Sequence, residues 1–549
     1  MNSNPAYKGL YVLKRPVFPY RQHSHYLKQC LNYKKNVNKE KKMKKVIICL
    51  VLLVSVLVLG FAQSALSGIY RYNSDYYISF AGNNFTGSWG GSSMSGTYSV
   101  SGSRLTLNIT GGTLGRDTWN WTIVNANTIR DQDGDDWRKE GGASVNPPAN
   151  DGLAVWSFTD EVEGLINNYY RRDNPAVRLR YEYITFDYFE SRLDQALSAG
   201  RGAPDVIALE SSIVRKYVES GQLLDLTDIY ERNRSRLLAF PVEIGTYNGR
   251  VYAMSWQACP GAMFYRRSLA RKYLGTDDPA VVQTYFSDLN KFMETAELLK
   301  RNSNGSCVAV SSRGDLYNVF LGARRNPWVV NGRLTIDPVM ERYMEASKII
   351  HDNRYDARVG QWSEGWFEGM RDELVNTNGR PYEVFSYFLP TWGLHYVLKT
   401  NTTRNNGIST SGDWAMIQGP SSWRWGGNWL GVYRNTPNAA AARQLIEYLV
   451  TNDNFLERYA LDSGDIVANT TVVNRIKSNF MEPFLGGQNH YAAFAEMALG
   501  VNGRLVQRSD QIIESLFDEQ VTAYVEGEKT KAQALADFRL IVQHQLGLN

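Results

Sequence analysis

The stretch that sets the fold begins L-A-V-W-S-F-T-D-E at residues 153–161 and continues to residue 219. Apolar strand-like segments alternate there with amphipathic helical ones: strand 153–158, helix 161–172, strand 179–184, helix 188–197, strand 204–209 and helix 213–219. This alternation predicts an α/β fold with a mainly parallel sheet and helices on both faces. The pattern continues with a growing helical share, and residues 508–545 are predicted to be almost entirely helical.

The residues before this region have a different pattern. Residues 68–139 alternate apolar and polar positions in short runs separated by Gly, Asn and Ser, which predicts a small antiparallel meander or barrel. The segment resembles the small lipocalin-like β domains of secreted bacterial proteins. Residues 140–152 include G-G-A-S-V-N-P-P-A-N-D-G, the composition of a linker. The sequence therefore predicts a β domain, a linker and a larger domain at residues 153–549.

The first 64 residues are typical of an export signal. Four lysines between residues 41 and 45 precede the apolar run V-I-I-C-L-V-L-L-V-S-V-L-V-L-G-F at 46–61, and A-Q-S at 62–64 suits cleavage after Ser64. The run is short for a membrane span, although an uncleaved N-terminal anchor is the alternative. Translation is expected to start at Met43. The mature protein is predicted to be periplasmic or extracellular.

Charge argues against nucleic-acid binding. The formal net charge is +5, but residues 1–64 carry twelve Lys or Arg and one acidic residue. The remainder has 48 basic and 54 acidic residues, a net charge of about −6, and no basic patch interleaved with aromatics. No nucleic-acid partner is predicted, and a monomer is expected.

Motifs for catalysis are missing from the sequence. The six histidines form no H-E-x-x-H or other spaced metal set, and there is neither a G-x-S-x-G elbow nor a G-x-x-x-x-G-K-[ST] phosphate loop. We therefore predict no enzyme, no cofactor and no metal. A glycoside hydrolase remains an alternative, since it needs only two correctly spaced acids. Cys259 and Cys307 could pair or remain free thiols.

Residues 411–430 form the densest aromatic segment, S-G-D-W-A-M-I-Q-G-P-S-S-W-R-W-G-G-N-W-L. It holds four of the fourteen tryptophans among Asp, Gln, Ser, Arg and Asn side chains. Flat apolar faces beside fixed polar groups suit a ligand with one apolar face and many hydroxyls. The alternative is a pair of core strands whose tryptophans fill space.

Several segments, in order, resemble the extracellular solute-binding proteins of ABC sugar importers, the maltose-binding-protein-like family. They are L-A-V-W-S-F-T-D-E at 153–161, A-P-D-V-I-A-L-E-S-S at 203–212, Y-V-E-S-G-Q-L-L-D-L-T at 217–227, Y-N-G-R-V-Y-A-M-S-W-Q-A-C-P-G-A-M-F-Y-R-R-S-L at 247–269, A-A-A-A-R-Q-L-I-E-Y-L-V-T-N-D-N-F at 439–455 and E-K-T-K-A-Q-A-L-A-D-F at 528–538. The sequence departs from the family in its added β domain and in having no acylated cysteine at the cleavage point.

The resemblance implies two α/β lobes that hold a ligand between them. Lobe 1 would span about 153–257 and 430–478, and lobe 2 about 258–429 and 479–549. The ligand-binding residues it implies are Trp156, Thr159, Glu161, Glu210, Ser211, Trp256, Trp392, Trp425, Asn428 and Asp465. Open sheets bind ligands at the carboxyl ends of their strands, which is where Glu210 is expected.

Several of these residues have a structural alternative. Glu210 could instead cap the following helix, and Trp256 could plug the seam between the lobes. Trp362 and Trp366, four apart, are predicted to share a helix face and pack in the core. Within residues 411–430, Trp414 and Trp429 are expected in the core, Trp423 is undecided, and the loop Trp425–Asn428 is expected to meet the ligand.

The leading interpretation is a secreted protein that captures a mono- or oligosaccharide and delivers it to the permease subunits of an ABC importer. Two alternatives remain open. One is a secreted enzyme that acts on polysaccharide, and the other is a surface protein that binds a partner through its β domain.

Overall fold

The computed structural model describes residues 66, 68–73, 76–81, 83–89, 92–101, 104–125, 128–131, 136–139, 152–200 and 202–548. They divide into two compact units, one before and one after residue 145. The predicted signal segment, its start at Met43, its cleavage after Ser64 and nearly all of the linker fall outside the described residues. Across the described part of the chain, no helix is both long and apolar enough to cross a membrane.

Unit 1 is a closed antiparallel barrel in which each strand pairs with its sequence neighbour and the last pairs with the first. Its strands are β1 Gly68–Asn73, β2 Tyr76–Ala81, β3 Asn84–Trp89, β4 Ser92–Ser101, β5 Arg104–Gly111, β6 Asp117–Asn125, β7 Thr128–Arg130 and β8 Asp136–Lys139. Alternate side chains point inward because successive residues of a strand face opposite sides. The predicted small antiparallel β domain is confirmed, and its likeness to lipocalin-like modules stays a prediction.

The barrel interior is aromatic. Rings from β3, β6 and β8 stack there, with the Trp89 and Trp137 centroids 5.5 Å apart and those of Trp119 and Trp121 6.2 Å apart. Trp121 and Trp137 are fully buried, whereas Trp89 and Trp119 are partly exposed. Closure of the barrel leaves no free edge strand on this unit.

Unit 2 contains two main sheets and several short strand pairs. Its strands are β9 Leu153–Ser157, β10 Leu179–Tyr183, β11 Val206–Glu210, β12 Thr246–Tyr247, β13 Arg250–Val251, β14 Ala253–Met254, β15 Gly261–Arg266, β16 Cys307–Val308, β17 Val329–Val330, β18 Arg333–Leu334, β19 Glu383–Val384, β20 Ser386–Pro390, β21 Trp414–Ile417 and β22 Asn428–Val432.

The first sheet has the order β10-β9-β11-β22-β14. Strands β10, β9 and β11 are parallel, as predicted, whereas β22 is antiparallel to both β11 and β14. The second sheet, β20-β15-β21, is antiparallel throughout. The prediction of a mainly parallel sheet is therefore confirmed for the first sheet, in which four of the five strands run in one direction and β22, from a distant part of the chain, runs against them. It is wrong for the second sheet.

Helices surround the two sheets, and the α/β class is confirmed. The α-helices are Glu161–Leu165, Arg171–Asp173, Phe186–Ala199, Val214–Val218, Thr227–Asn233, Ala239–Ile244, Arg267–Leu274, Pro279–Tyr285, Leu289–Asn302, Tyr317–Gly322, Pro338–Asn353, Glu364–Met370, Ala439–Thr451, Asp453–Ser463, Thr470–Ile476, His490–Leu499, Asp510–Val525 and Lys531–Leu546. Two π-helical turns occupy Ile166–Tyr170 and Gly393–Leu398. Short 3₁₀ turns are Arg234–Arg236, Arg313–Leu316, Lys399–Asn401, Lys477–Asn479, Pro483–Leu485 and Gly503–Leu505.

Three tryptophans of residues 411–430 are core residues. Trp414 and Trp429 are buried, as expected, and their indole N–H groups donate to Thr410 Oγ1 (2.9 Å) and the Pro241 carbonyl (2.8 Å). Trp423, which the sequence left undecided, is also buried, in the apolar core around the second sheet. Cys259 and Cys307 are both buried and free, so the disulfide alternative is wrong.

Trp423 owes its position to a glycine. A Cβ atom added at Gly261 would lie 2.2 Å from Cε2 of the Trp423 ring. Gly261→Ala is therefore expected to lower the free energy of unfolding by about 1–3 kcal/mol, because the buried ring has no room to move. Chemical denaturation measures the loss.

The matched control is Gly360→Ala. Gly360 is exposed, and an added Cβ atom there meets nothing within 4 Å. This variant should change the free energy of unfolding by less than about 0.5 kcal/mol. Equal stabilities of the two variants would contradict the packing described for Trp423.

Candidate functional site

A cluster of polar side chains lies beyond the carboxyl ends of the parallel strands of the first sheet. Glu161 begins the helix that follows β9, and Asn428 is the first residue of β22. The Asn428 side-chain amide donates to Glu161 Oε2 at 3.0 Å, and the Tyr459 hydroxyl donates to Glu161 Oε1 at 2.8 Å. Both carboxylate oxygens of Glu161 therefore accept hydrogen bonds from neutral donors.

Asp465 lies on the other side of Tyr459. Its side chain is 1% exposed, and the Tyr459 oxygen is 3.4 Å from Asp465 Oδ2. A phenol has one proton to donate. Tyr459 therefore donates to the nearer Glu161, and its interaction with Asp465 is weak. Glu161, Asn428, Tyr459 and Asp465 are called the acidic cluster below.

Burial sets the protonation of the two acids. It raises the pKa of Asp465 to about 7, and the negative charge of Glu161 adds to the rise. Burial also raises the pKa of Glu161, which hydrogen bonds from Tyr459, Trp256 and Asn428 oppose. Among the described residues, the largest effects on the two carboxyls come from burial, from neutral donors and from neighbouring acids.

Three buried polar atoms at the acidic cluster have no hydrogen-bond partner in the described part of the chain. They are Asp465 Oδ1, Thr391 Oγ1 and Trp256 Nε1. Thr391 and Trp256 help to stabilise the charges of Asp465 and Glu161, but without the geometry of full hydrogen bonds. Buried polar groups in proteins are almost always paired, so this concentration indicates a place that another molecule completes.

Three tryptophans form an aromatic wall, defined as Trp362, Trp392 and Trp425. The rings of Trp362 and Trp392 are parallel within 6°, with centroids 6.3 Å apart. Trp425 meets both edge-on, at 5.3 Å from Trp392 and 5.9 Å from Trp362. The Trp392 indole N–H donates to the Trp425 carbonyl at 2.9 Å, which fixes one ring against the other.

Backbone conformation supports the wall at two points. Gly426, at φ +73°, lets the chain pass so close to Trp392 that an added Cβ atom would lie 2.8 Å from its Nε1. Trp362 has φ +67°, a left-handed conformation that is rare for a bulky residue and collects at functional sites.

The predicted packing of Trp362 with Trp366 is only partly right. The helix begins at Glu364, after the cap Ser363, so Trp362 precedes the helix. Trp366 is fully buried in the core. Trp362 is half-buried; its ring packs against that of Trp366, with centroids 5.3 Å apart, and it also joins the aromatic wall.

The wall and the acidic cluster are neighbours. Thr391, which faces Asp465, directly precedes Trp392. The Trp425 backbone N–H donates to the Cys259 carbonyl at 3.2 Å. Burial raises the pKa of the Cys259 thiol, and the charges of Asp465 and Glu161 raise it further. Aromatic faces and acceptor oxygens therefore belong to one site.

Glu210 and Ser211 lie at the end of β11, where Glu210 pairs in register with Asn428. The Glu210 carboxylate accepts from the Ser211 hydroxyl at 2.7 Å and from the Ser212 backbone N–H at 2.6 Å. It therefore stabilises its own turn, although the helix beyond has no side-chain cap. The nearby Arg424 guanidinium is sensitive to the charge of Glu210, while burial lowers its pKa.

Trp156 lies in β9, and Thr159 lies two residues after that strand. The Arg192 guanidinium lies 4.5 Å from the centre of the Trp156 ring and covers one face. The Thr159 hydroxyl accepts from the Glu161 backbone N–H at 3.3 Å, and its carbonyl accepts from Ser157 and Tyr181. Both residues are held by local structure at the end of β9.

Sequence reasoning missed Tyr459, Thr391 and Tyr396. Tyr459 joins the two acids, and burial together with the charges of Asp465 and Glu161 raises the pKa of Tyr396. Tyr459 sits six residues before Asp465 in a helix with ordinary amphipathic spacing. Nothing in that spacing distinguishes it from a packing residue.

The chain was compared with known families and structures. Residues 155–320 match the family described as bacterial extracellular solute-binding protein. No curated protein matches the sequence.

Among solved structures, one described as an extracellular solute-binding protein family 1 has a TM-score of 0.62 at 20% identity, covering 70% of this chain and 97% of that one. The sugar-binding protein MalE from the phytopathogen Xanthomonas citri has a TM-score of 0.58 at 16% identity, covering 71% and 96%. The ABC transporter associated binding protein from B. animalis subsp. lactis Bl-04, in complex with beta-1,6-galactobiose, has 0.54 at 19%, covering 71% and 96%. These likenesses confirm the predicted two-lobed α/β fold.

Proposed function

Because unit 2 has the fold of bacterial extracellular solute-binding proteins and residues 155–320 match that family, we propose that this chain captures a carbohydrate between its lobes and delivers it to an ABC importer. The observation that carries the proposal is the aromatic wall beside the acidic cluster. The residues proposed to contact the sugar are Glu161, Trp256, Trp392, Trp425, Asn428 and Asp465, joined by Trp362 and Tyr459.

The chemistry of a sugar matches this arrangement. A pyranose ring has an apolar face that stacks on an indole, and hydroxyls that need partners once they leave water. Each unpaired buried polar group costs about 1–3 kcal/mol, so acceptors and donors must stand beside the rings. Asp465 Oδ1, Thr391 Oγ1 and Trp256 Nε1 supply unpaired groups of both kinds.

Closure of the two lobes is the proposed response to the ligand. A ligand shifts this equilibrium only through contacts that differ between open and closed states. Glu161 and Asn428 lie at one end of the strands of the first sheet, and Trp392 lies two residues after β20 of the second. A ligand that touches both groups would therefore favour closure. Contacts by Trp156, Thr159, Glu210 and Ser211 stay predictions, as do a monomeric state and a location outside the cytoplasm.

A thermal-shift screen with mono- and oligosaccharides tests the proposal. A sugar at 100 times its dissociation constant is expected to stabilise the protein by about 2.7 kcal/mol, because it binds only the folded state. Glycerol at equal concentration controls for the general effect of polyols. Absence of any shift with every carbohydrate would contradict the proposed function, and glycan cleavage in the same mixtures would favour the enzyme alternative.

A further inference from the structure

The carboxyls of the acidic cluster, like that of buried Asp315, have mainly neutral donors around them. Buried Arg266 is paired with Asp372 and Asp413 at 2.5 and 2.8 Å. Glu161 and Asp465 instead face each other across Tyr459, and their main interactions are with neutral or acidic groups. Buried charges in proteins are normally paired, since an unpaired charge is costly to remove from water.

One carboxylate oxygen of the two acids lacks a hydrogen-bond donor within the residues that the structure describes. Asp465 is 1% exposed, and its Oδ1 has no partner among the described residues. Glu161 uses each oxygen for one hydrogen bond, and a carboxylate oxygen can accept more than one. The two carboxyls can therefore accept further hydrogen bonds.

Tryptophans lie beside the two acids. Trp256 acts on the Glu161 carboxyl, and the aromatic wall is connected to the pair through Thr391 and the Cys259 carbonyl. Ammonium groups are attracted to indole faces as well as to carboxylates. A metal ion fits less well, because the described residues contain no group of three His, Cys, Asp or Glu able to hold one.

We propose that the sugar bound by this site carries a protonated amino group, and that its ammonium binds between Glu161 and Asp465. This inference rests on the proposed function and narrows it to glycans that contain an unacetylated amino sugar. The ammonium supplies the missing positive charge and donates to Asp465 Oδ1. An ammonium stabilises the charged forms of both carboxyls, which a neutral hydroxyl does not, and an anionic sugar would be repelled.

Calorimetric titration of the full chain tests this inference. The probes are glucosamine, galactosamine and the β-1,4-linked glucosamine disaccharide, each beside its N-acetylated counterpart and its neutral hydroxyl counterpart. We expect each amine that binds to bind at least about 10-fold more tightly than both counterparts, since a charge-assisted hydrogen bond is about twice as strong as a neutral one. Added salt should weaken amine binding more than neutral binding.

Two variants locate the effect. Glu161→Gln and Asp465→Asn keep side-chain size and remove one charge each. Either should reduce the preference for the amine to within about 3-fold, which leaves at most about 0.7 kcal/mol of discrimination. The control Glu528→Gln changes an exposed carboxyl and should leave the preference unchanged. The ratio of the affinities for the amine and for its neutral counterpart distinguishes a loss of charge recognition from a general loss of binding.

The outcomes distinguish this inference from the proposed function. Neutral or N-acetylated sugars that bind as tightly as the amines would overturn the amine site and leave sugar binding intact. An amine preference that persists in both variants would also overturn it, because other residues would then recognise the ammonium. If no sugar of the three kinds binds while other carbohydrates do, the amine site again fails. If no carbohydrate binds at all, the proposed function fails with it.

Discussion

Asp465→Asn is expected to raise the free energy of unfolding by about 4 kcal/mol at about pH 8 and to change it little at about pH 4. In the folded protein burial raises the pKa of Asp465 from 3.8 to about 7, with the Glu161 charge as the second cause. A shift of about three pKa units corresponds to about 4 kcal/mol. The amide of Asn resembles the protonated acid and never acquires the charge.

The direction follows from the order in which the two states lose their proton. The unfolded chain releases the Asp465 proton at about pH 4, whereas the folded protein keeps it until about pH 7. The contribution of Asp465 to the stability of the wild-type protein therefore decreases as the pH rises between these values. The charges of Asp465 and Glu161 act on the neighbouring tyrosines and on Cys259, none of which is a cation. His395 and His490 contact Gly464, the residue before Asp465, and burial lowers the pKa of both, which favours their neutral forms.

Urea denaturation at several values between about pH 4 and pH 8 measures the effect, followed by the helical circular-dichroism signal of unit 2. Asp187→Asn is the control, since Asp187 is exposed on the helix Phe186–Ala199 and should change stability by less than about 0.5 kcal/mol at any pH. A constant difference between Asp465→Asn and wild type across the pH range would show that Asp465 is charged in the folded state throughout.

Trp425→Ala is expected to weaken sugar binding by about 100-fold or more, which is about 2.7 kcal/mol. A central aromatic residue commonly contributes at least 2 kcal/mol to a binding site. Trp425 also holds Trp392 in place, since its carbonyl accepts from the Trp392 indole and its ring meets the other edge-on at 5.3 Å. Loss of the ring therefore removes a stacking surface and loosens its neighbour.

The fold should survive this substitution. Trp425 is only partly buried, unlike Trp414, Trp423 and Trp429 in the same segment. Titration with the sugar found in the thermal screen measures the affinity, and circular dichroism verifies folding. Trp425→Phe should restore part of the binding, and Tyr247→Ala, at an exposed aromatic of the β12–β13 hairpin, should leave it unchanged. An unfolded Trp425→Ala protein would make Trp425 a core residue, and a folded one with unchanged affinity would remove it from the site.

Local patterns in the sequence predicted the elements and much of the division of roles among the tryptophans. The alternation over residues 153–219 predicted β9, β10 and β11 with the helices between them, because side-chain periodicity is a local property. The strand-like positions of Trp414 and Trp429 predicted their burial, and the glycines after Trp425 predicted a loop. The short Gly- and Ser-punctuated runs before the linker predicted an antiparallel β unit, which closes into a barrel.

The identities of Glu161, Asn428 and Asp465 could likewise be proposed from sequence, by resemblance to a family. Their relation to one another could not. The contact of Glu161 with Asn428 joins residues 267 positions apart, and its contact with Tyr459 joins residues 298 apart. Only the antiparallel entry of β22 beside β11 brings the first pair together, and no local pattern encodes that pairing.

What only the tertiary structure decided is therefore the electrostatics of the site. The sequence by itself determined that strands and helices alternate, that a signal-like segment precedes them and that residues 411–430 combine indoles with polar groups. Burial and proximity determined that the Tyr459 hydroxyl contacts both Glu161 and Asp465. They also determined that Trp362, which precedes its helix, packs with Trp392 and Trp425. Charge interactions and burial depend on distances in space, and those distances exist only after the chain has folded.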